Sequence, residues 1–194
     1  MPDTAYSYIV VLMPDLIEKW QSGDMAAFET LFRQYEKLVF RTAFLITGSK
    51  EAAEDTLQEV FISVWKSRHT YDPNKSKLTT WLHRITVNQC SRKKASKIST
   101  TVSIEGRNID LPAMKHESQP EEVVLTRIEY DRLLKAMDSL DTKHRSVLVL
   151  RYFNDLSYQE IAEALEIPLG TVKSRLNQSL RYLKQQMNPG EAEV

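Results

Sequence analysis

The sequence predicts an all-α protein made of two small helical domains joined by a flexible linker. Apolar residues recur at intervals of three and four, the spacing of one helix face, in residues 24–46, 52–67 and 79–97, and again between 121 and 187. Residues 98–120 lose this periodicity and collect Ser, Thr, Asn, Gly and Pro, which is typical of a tether. No useful stretch alternates apolar and polar residues as a strand would. We therefore expect domains at 14–97 and 121–188.

The composition excludes several classes of protein. Of 194 residues, 42% are hydrophobic and 27% are charged, which is too charged for a membrane protein and too apolar for a disordered one. The apolar stretch Tyr6–Met13 is too short to span a bilayer. Cys90, the single cysteine, excludes a disulfide framework and fits a reducing compartment. We expect a cytoplasmic protein without direct membrane insertion.

The first three helices have recognisable ends. Helix-spaced apolar residues begin after Asp24 and continue to Ile46, and Gly48 follows as a stop signal. A second helix is expected from about residue 52 to 67, and 71–74 is predicted to be a turn. A third helix should run from about residue 79 to 97. Together these helices form the expected N-terminal domain.

Charge is segregated along a chain whose 26 basic and 26 acidic residues balance. Residues 66–97 contain nine basic residues against one acid, Asp72, and residues 169–187 contain four basic residues and no acid. Residues 154–167 carry four acids and no base. Two separate basic surfaces favour two contacts with one polyanion, most plausibly nucleic acid, although ordinary solvated helix faces would produce similar counts.

A helix-turn-helix is predicted near the C-terminus. Ser157 and Glu160 form a capping box at the start of a short helix, Glu166 and Ile167 make the turn, and Pro168 suits the first position of the next helix. That helix should bury apolar side chains and expose a polar, acid-free face, as a major-groove reading helix does. The side chains expected on its buried face are Val172, Leu176, Leu180 and Leu183. A plain helical hairpin is the alternative.

The second helix carries a different kind of surface. Its helical wheel places Asp55, Glu59, Ile62 and Lys66 on one outward ridge, with Gln58 and Trp65 beside it. An exposed isoleucine within an acidic ridge favours a protein-binding surface over a solvated face.

The C-terminal residues resemble region 4 of a known family. Leu150-Arg-Tyr-Phe-Asn-Asp-Leu-Ser-Tyr-Gln-Glu-Ile-Ala and Ile167-Pro-Leu-Gly-Thr-Val-Lys-Ser-Arg-Leu resemble bacterial RNA polymerase sigma factors of the extracytoplasmic-function type, in the sigma-70 family. The resemblance implies recognition of the minus-thirty-five promoter element. It assigns base contacts to Lys173, Ser174, Asn177 and Gln178 and phosphate contacts to Arg151, Tyr158, Thr171 and Arg175.

The N-terminal half resembles region 2 of the same family. Ala53-Glu-Asp-Thr-Leu-Gln-Glu-Val-Phe-Ile-Ser-Val-Trp65 is similar to the segment that docks on the β′ clamp helices of polymerase. The resemblance assigns that contact to Asp55, Gln58, Glu59, Phe61 and Trp65. The segment from Tyr71 to Asn88 resembles the part that melts and reads the minus-ten element. There it assigns DNA contacts to Tyr71, Lys75, Lys77, Trp81, Arg84 and Asn88, with Trp81 either a core or pocket-wall residue or a stacking platform.

These residues predict a sigma factor that directs promoter-specific transcription initiation and is not itself an enzyme. No nucleophile with an obvious base, phosphate-binding loop or metal-ligand spacing is apparent, so no cofactor or metal is expected. Expected partners are the polymerase core, through the β′ clamp helices and β flap, and promoter DNA, both duplex and single-stranded. An anti-sigma factor is a further candidate. The alternatives are a free-standing helix-turn-helix regulator and a sigma mimic that titrates an inhibitor without touching DNA.

Overall fold

The computed structural model describes residues 14–96 and 120–188, with side chains described for 14–92 and 129–188. These ranges form helices and short connections, without a strand. The helices are α1 (residues 14–22), α2 (Met25–Thr47), α3 (Lys50–Lys66), α4 (Leu78–Ser96), α5 (Pro120–Asp138), α6 (Thr142–Leu148), α7 (Tyr158–Leu165) and α8 (Leu169–Met187). The all-α prediction is confirmed, and the expected linker lies outside the described residues up to Pro120, where α5 begins. No helix within the described ranges is long and apolar enough to cross a membrane.

The N-terminal helices begin and end as their capping residues predict. The side chain of Asp24 accepts hydrogen bonds from the amides of Ala26 and Ala27 at the start of α2. Gly48, at φ 73°, ends α2 in the left-handed conformation that favours glycine. Ser49 then caps α3 by accepting from the amide of Ala52. Helices α2, α3 and α4 pack around a core of aliphatic and aromatic side chains that includes the fully buried Val39 and Val60.

Helix α1 was not predicted from the sequence, yet it completes this core. Trp20 is fully buried, and its ring lies 5.8 Å from that of Trp81 and 6.1 Å from that of Tyr71. The only signal in the sequence is the short run Leu16, Ile17 and Trp20, which has helical spacing over little more than one turn. The helix is too short to be recognised by periodicity alone.

The C-terminal helices α5 to α8 surround a second set of buried residues. Leu150, Ile161, Val172 and Leu176 are essentially inaccessible there. Leu180 departs from the predicted buried set, since it is 40% exposed and Ser179 lies inside the bundle instead. The hydroxyl of Ser179 donates to backbone carbonyls of α6 and α8 (those of His144 and Arg175), which satisfies its buried polar atom. A π-helical turn, Val149–Phe153, extends α6 towards the helix-turn-helix.

The two halves pack against each other through a continuous apolar core. Phe44, Leu45 and Val87 of the N-terminal half belong to the same buried cluster as Leu148 and Ile161 of the C-terminal half. Polar contacts surround this cluster. Arg145, only 4% exposed, donates from Nε to the carbonyl of Leu45 near the end of α2 and from Nη1 to Asp138 Oδ1 at 2.7 Å. Asn154 Nδ2 donates to Thr42 Oγ1 at 3.0 Å.

Gly48 lies at the contact between the two halves. A Cβ atom at this position would stand 2.6 Å from Asp138 Oδ1 and 3.3 Å from the Arg145 guanidinium. The 2.6 Å separation is too short for any real contact. Both the positive φ and the neighbouring half therefore require a residue without a side chain at this position.

His83 predicts how this fold responds to acid. The ring is buried in α4, and burial lowers the pKa of His83 from 6.5 to about 4. Because the folded-state pKa lies below the unfolded one, the stability associated with the neutral ring is complete above pH 6.5. It is lost as the pH falls towards 4, by an amount on the order of 3 kcal/mol.

Urea unfolding between pH 7 and 4 tests this expectation. His83→Gln should flatten the loss of unfolding free energy over this interval. His69→Gln, at an exposed position in the turn after α3, serves as the control and should leave the pH dependence unchanged. If the free energy of unfolding falls with decreasing pH as steeply in His83→Gln as in the unsubstituted protein, the assignment to His83 is contradicted.

Candidate nucleic-acid and protein interfaces

The outward ridge of α3 forms as the helical wheel predicts. Asp55, Gln58 and Glu59 are exposed, and Ile62 is 47% exposed among them. The opposite face of α3 packs into the core through Val60 and other aliphatic side chains, which fixes the direction in which the ridge points. An apolar side chain held between acidic and amide groups on a rigid helix is suited to binding a complementary protein surface.

Phe61 does not belong to the surface of this ridge. It is 5% exposed, and its ring packs 4.7 Å from that of Phe32 and 6.2 Å from that of Phe28. The resemblance assigns Phe61 to the partner contact, while helical periodicity assigns it to the buried side of α3. The structure places it beneath the ridge, where it packs α3 against α2, and its contact with a partner stays a prediction.

Trp65 closes the C-terminal end of the ridge. It is half-buried, with its ring 5.0 Å from that of Phe28 and the guanidinium of Arg68 4.5 Å above its ring centroid. Arg68 Nη1 also donates to the carbonyl of Trp65. The indole therefore has one protected face and a fixed position, and it remains partly accessible.

The loop before α4 holds two predicted DNA residues inside the protein. Tyr71 is 5% exposed and Trp81 is 7% exposed, with their rings 5.3 Å apart. The hydroxyl of Tyr71 donates to the carbonyl of Ser76, and Gln21 Nε2 donates to the carbonyls of Arg68 and Tyr71. Of the two roles left open for Trp81, its burial favours a core or pocket-wall residue over a stacking platform. Tyr71 likewise supports the loop from inside the protein.

The other residues that the resemblance assigns to this DNA contact are cationic or polar and lie nearer the surface. Lys75, Lys77 and Asn88 are exposed, while Arg84 is partly buried. Two of them are paired across to the C-terminal half. Lys77 Nζ lies 2.8 Å from Glu160 Oε1, and Arg84 Nη1 lies 3.0 Å from an oxygen of Glu166. Acidic side chains of the helix-turn-helix therefore form ion pairs with two cationic groups of the N-terminal half.

Glu160 has two partners at once. Its Oε2 accepts from the amide of Ser157 at 2.9 Å, while Ser157 Oγ accepts from the amide of Glu160 at 3.2 Å, so the predicted capping box is present. The bond from Lys77, followed by those from Ser157, lowers the pKa of Glu160 to about 2, and the same pair raises the pKa of Lys77. The carboxylate is therefore ionised throughout the physiological range.

The turn of the helix-turn-helix is tight and left-handed at Glu166. Glu166 has φ 53°, and the amides of Glu166 and Ile167 donate back to the carbonyls of Glu163 and Ala162. A non-glycine residue in this conformation costs about 1 kcal/mol relative to glycine. The following helix begins at Leu169, with Pro168 one residue before it and not at its first position as predicted.

Helix α8 presents the predicted reading face. Lys173, Ser174, Asn177 and Gln178 are all exposed, with Thr171 and Arg175 partly buried beside them. Ser174 Oγ donates to the carbonyl of Thr171 at 3.0 Å and so keeps acceptor capacity for a donor on DNA. The four exposed side chains offer the donors and acceptors that base edges and phosphates require.

Arg151 and Tyr158, which the resemblance groups as phosphate contacts, meet in the structure. The guanidinium of Arg151 lies 5.3 Å from the ring centroid of Tyr158, and Nη1 donates to the carbonyl of Leu156 at 3.0 Å. The cation is thus oriented before any ligand arrives, and it retains further N–H donors.

Sequence reasoning missed His144, which lies beside the reading face. Its Nε2 is 3.0 Å from Gln178 Oε1 and its Nδ1 is 2.9 Å from Asp141 Oδ1. No signal in the sequence links residues 34 positions apart, so this contact follows only from the packing of α6 on α8. Within the described ranges, no group of three or more His, Cys, Asp or Glu residues is placed to hold a metal ion.

These features define a class: a two-part helical DNA-binding protein with a helix-turn-helix in one half and an exposed ridge of acidic, amide and apolar side chains in the other. The comparisons agree, since residues 31–97 match Sigma-70 region 2 and residues 130–183 match Sigma-70, region 4. The chain is 29% identical to the extracytoplasmic-function (ECF) RNA polymerase sigma factor SigW of Bacillus subtilis, over 88% of this chain and 94% of that one. It is also 29% identical to the ECF RNA polymerase sigma-E factor of Escherichia coli, over 90% and 93% respectively.

Solved structures share the fold. CnrH, in complex with the cytosolic domain of CnrY, matches with a TM-score of 0.63 at 22% identity, over 90% of this chain and 96% of that one. RpoE of Bartonella quintana, in complex with the anti-sigma factor NepR, matches with a TM-score of 0.61 at 21% identity, over 86% and 98%. The protein belongs to the ECF sigma factors of the sigma-70 family, non-catalytic subunits that direct transcription initiation by RNA polymerase. As such, it binds the polymerase core and promoter DNA.

Proposed function

We propose that residues 14–97 dock on the polymerase core and capture the opened minus-ten strand, and that residues 121–188 bind the minus-thirty-five element. Residues 98–120 would then set the distance between the two contacts. The observation that carries this proposal is the presence, in one chain, of a rigid exposed ridge on α3 and an acid-free reading face on α8. A cytoplasmic location follows in the proposal, because bacterial promoters and polymerase are there.

For the core contact we propose Asp55, Gln58 and Glu59, with Ile62 between them and Trp65 at the end. Carboxylate and amide groups around an apolar centre fit a basic, partly apolar partner such as the β′ clamp helices. Phe61 would act by holding α3 in place. The β flap is proposed as the partner of the C-terminal half, because a sigma factor that spans two promoter elements needs support at both.

For the minus-ten element we propose that Lys75, Lys77 and Arg84 track the backbone of the opened strand and that Asn88 bonds a base or sugar edge. Tyr71 and Trp81 would form the wall against which an extruded base lies. Trapping an unstacked base contributes about 1–3 kcal/mol, which offsets much of the local cost of melting. Because Lys77 and Arg84 are paired with Glu160 and Glu166, this contact requires the two halves to separate.

For the minus-thirty-five element we propose that Lys173, Ser174, Asn177 and Gln178 face the bases and that Arg151, Tyr158, Thr171 and Arg175 bind phosphates. The exposure of the first group and the preset cation of the second support this division. An anti-sigma protein is proposed as a further partner. RpoE of Bartonella quintana, which shares the fold, was solved with such a partner.

Run-off transcription with purified bacterial core enzyme tests the proposal as a whole. We expect specific start sites that depend on this chain and lie at a fixed distance from two sequence elements. A free-standing regulator would instead bind duplex DNA tightly without polymerase, and a sigma mimic would bind neither core nor DNA. Tight, specific binding to an intact palindrome by the isolated chain would contradict the sigma assignment of these surfaces.

Alanine at Lys173 or Asn177 should weaken upstream recognition without changing core affinity. Each side chain is exposed on α8. Its removal should reduce the free energy of promoter binding by about 1–3 kcal/mol, and the effect should be confined to the minus-thirty-five element. Open-complex formation on promoters with single base-pair changes measures this effect, and fluorescence anisotropy measures core affinity. Gln186→Ala, exposed further along the same helix, is the matched control. Loss of core binding in either variant would show that the two halves are wrongly assigned.

A further inference from the structure

His144 connects a helix cap to the reading face. Asp141 is the N-cap of α6, and its Oδ1 accepts from the amide of His144 at 2.8 Å and lies 2.9 Å from the ring Nδ1. The other ring nitrogen, Nε2, lies 3.0 Å from Oε1 of Gln178 on α8. A continuous chain of hydrogen bonds therefore runs from the start of α6 to a side chain that projects from the reading helix.

The direction of the bond to Asp141 is set by chemistry. An ionised carboxylate can only accept, so Nδ1 of His144 must donate to Asp141. Although burial acts to raise the pKa of Asp141, the bonds from the amide and ring of His144 outweigh it, and the pKa lies below its usual range. At the other side of the ring, Nε2 contacts the carboxamide of Gln178, which can turn either its oxygen or its NH2 group towards the ring. In either case one end of the carboxamide is held by His144 and the other end is left to meet DNA.

The backbone holds this arrangement in register. Ser179, next to Gln178, shares the single proton of its buried hydroxyl between the carbonyl of Arg175 at 2.7 Å and that of His144 at 3.3 Å. The first turn of α6 and the middle of α8 are thus fixed relative to each other at the same two positions. Glutamine has three rotatable side-chain bonds, and a partner fixed in this way reduces the entropy lost when the amide is ordered against a base.

We propose that His144 is a positioning residue, which holds one end of the Gln178 carboxamide so that the other end faces the DNA in a fixed orientation. This inference rests on the proposed placement of Gln178 at the minus-thirty-five bases. A carboxamide fixed in one orientation favours base edges whose donors and acceptors complement it over edges that do not. His144 is not itself a base contact in this scheme, and its effect is on specificity at a single base pair.

The test measures promoter selection by the holoenzyme formed from the full chain and bacterial core. Affinity is compared across promoters that carry each of the four base pairs at every minus-thirty-five position. Gln178→Ala should flatten the preference at one position, and His144→Leu should reduce the preference at that same position about fivefold. In the double variant, His144→Leu should have no further effect. His144→Gln, whose amide can also donate to Gln178, should retain most of the preference.

Lys143→Ala supplies the control, because this exposed neighbour of His144 can contribute only a nonspecific charge. It should weaken all promoters evenly and leave the preference intact. If Gln178→Ala leaves every preference unchanged, the proposed placement of Gln178 fails. If Gln178→Ala acts but His144→Leu does not, or acts evenly on all promoters, the positioning role of His144 is overturned. Circular dichroism confirms in each case that the variant is folded.

Discussion

Replacing Glu59 by arginine is expected to abolish promoter-directed transcription while leaving the protein folded. Glu59 is exposed at the centre of the α3 ridge, and the buried face of this helix does not involve it. A reversed charge in the middle of a protein interface costs about 3 kcal/mol or more, which is a loss in core affinity of at least roughly 100-fold. Because the core of the domain is untouched, the midpoint of thermal unfolding should remain within a few degrees.

Two measurements decide this prediction. Core affinity is determined by titration of labelled chain with polymerase core, and activity by run-off transcription with the same enzyme. Glu29→Arg makes the same charge change at an exposed position of α2, outside the ridge, where Glu29 pairs with Arg33 at 2.6 Å. It should preserve both affinity and activity. Full transcription by Glu59→Arg would contradict the assignment of the ridge.

Alanine at Gly48 is expected to separate the two halves of the protein. The new Cβ atom would stand 2.6 Å from Asp138 Oδ1, which is itself held by Arg145, so this network must break or the halves must move apart. Separation frees Lys77 and Arg84 from Glu160 and Glu166. We therefore expect a larger radius of gyration and tighter binding of single-stranded DNA by the isolated chain.

Gly23→Ala is the matched control for this substitution. Gly23 also has a positive φ, of 97°, but the nearest atom to an added Cβ is a flexible Arg68 nitrogen at 3.7 Å. Both variants bear the strain of a left-handed alanine, about 1 kcal/mol, and only Gly48→Ala affects the contact between the halves. Small-angle X-ray scattering separates the two effects. Equal scattering and equal DNA affinity in the two variants would contradict a closed arrangement held at Gly48.

Local signals predicted much of the fold. Asp24, Gly48 and Ser157 cap helices as their residue types require, and the capping box appears with both of its bonds. Such features depend on residues a few positions apart, so the chemistry of one turn is enough to determine them. The exposed ridge of α3 was predictable for the same reason, since helical periodicity alone assigns its two faces.

The contacts that the sequence does not predict join distant residues. The aromatic core formed with α1 and α2 buries Phe61 and Tyr71, so their assigned contacts with polymerase and DNA stay predictions. Leu180, predicted to be buried, is exposed, and Ser179 lies inside because α6 approaches α8 closely enough to bond the serine hydroxyl. The pairing of Lys77 with Glu160 joins residues 83 positions apart, and no sequence pattern within either half encodes it.

The two hydrogen bonds of the Glu160 carboxylate affect the free energy that promoter binding requires. One oxygen of its carboxylate completes the cap of α7 and the other accepts from Lys77, so losing the second bond leaves the first intact. If the two halves separate at a promoter as proposed, the helix-turn-helix can leave the N-terminal half with the cap of α7 intact. The promoter and polymerase would then supply the free energy that breaks the contact between the halves.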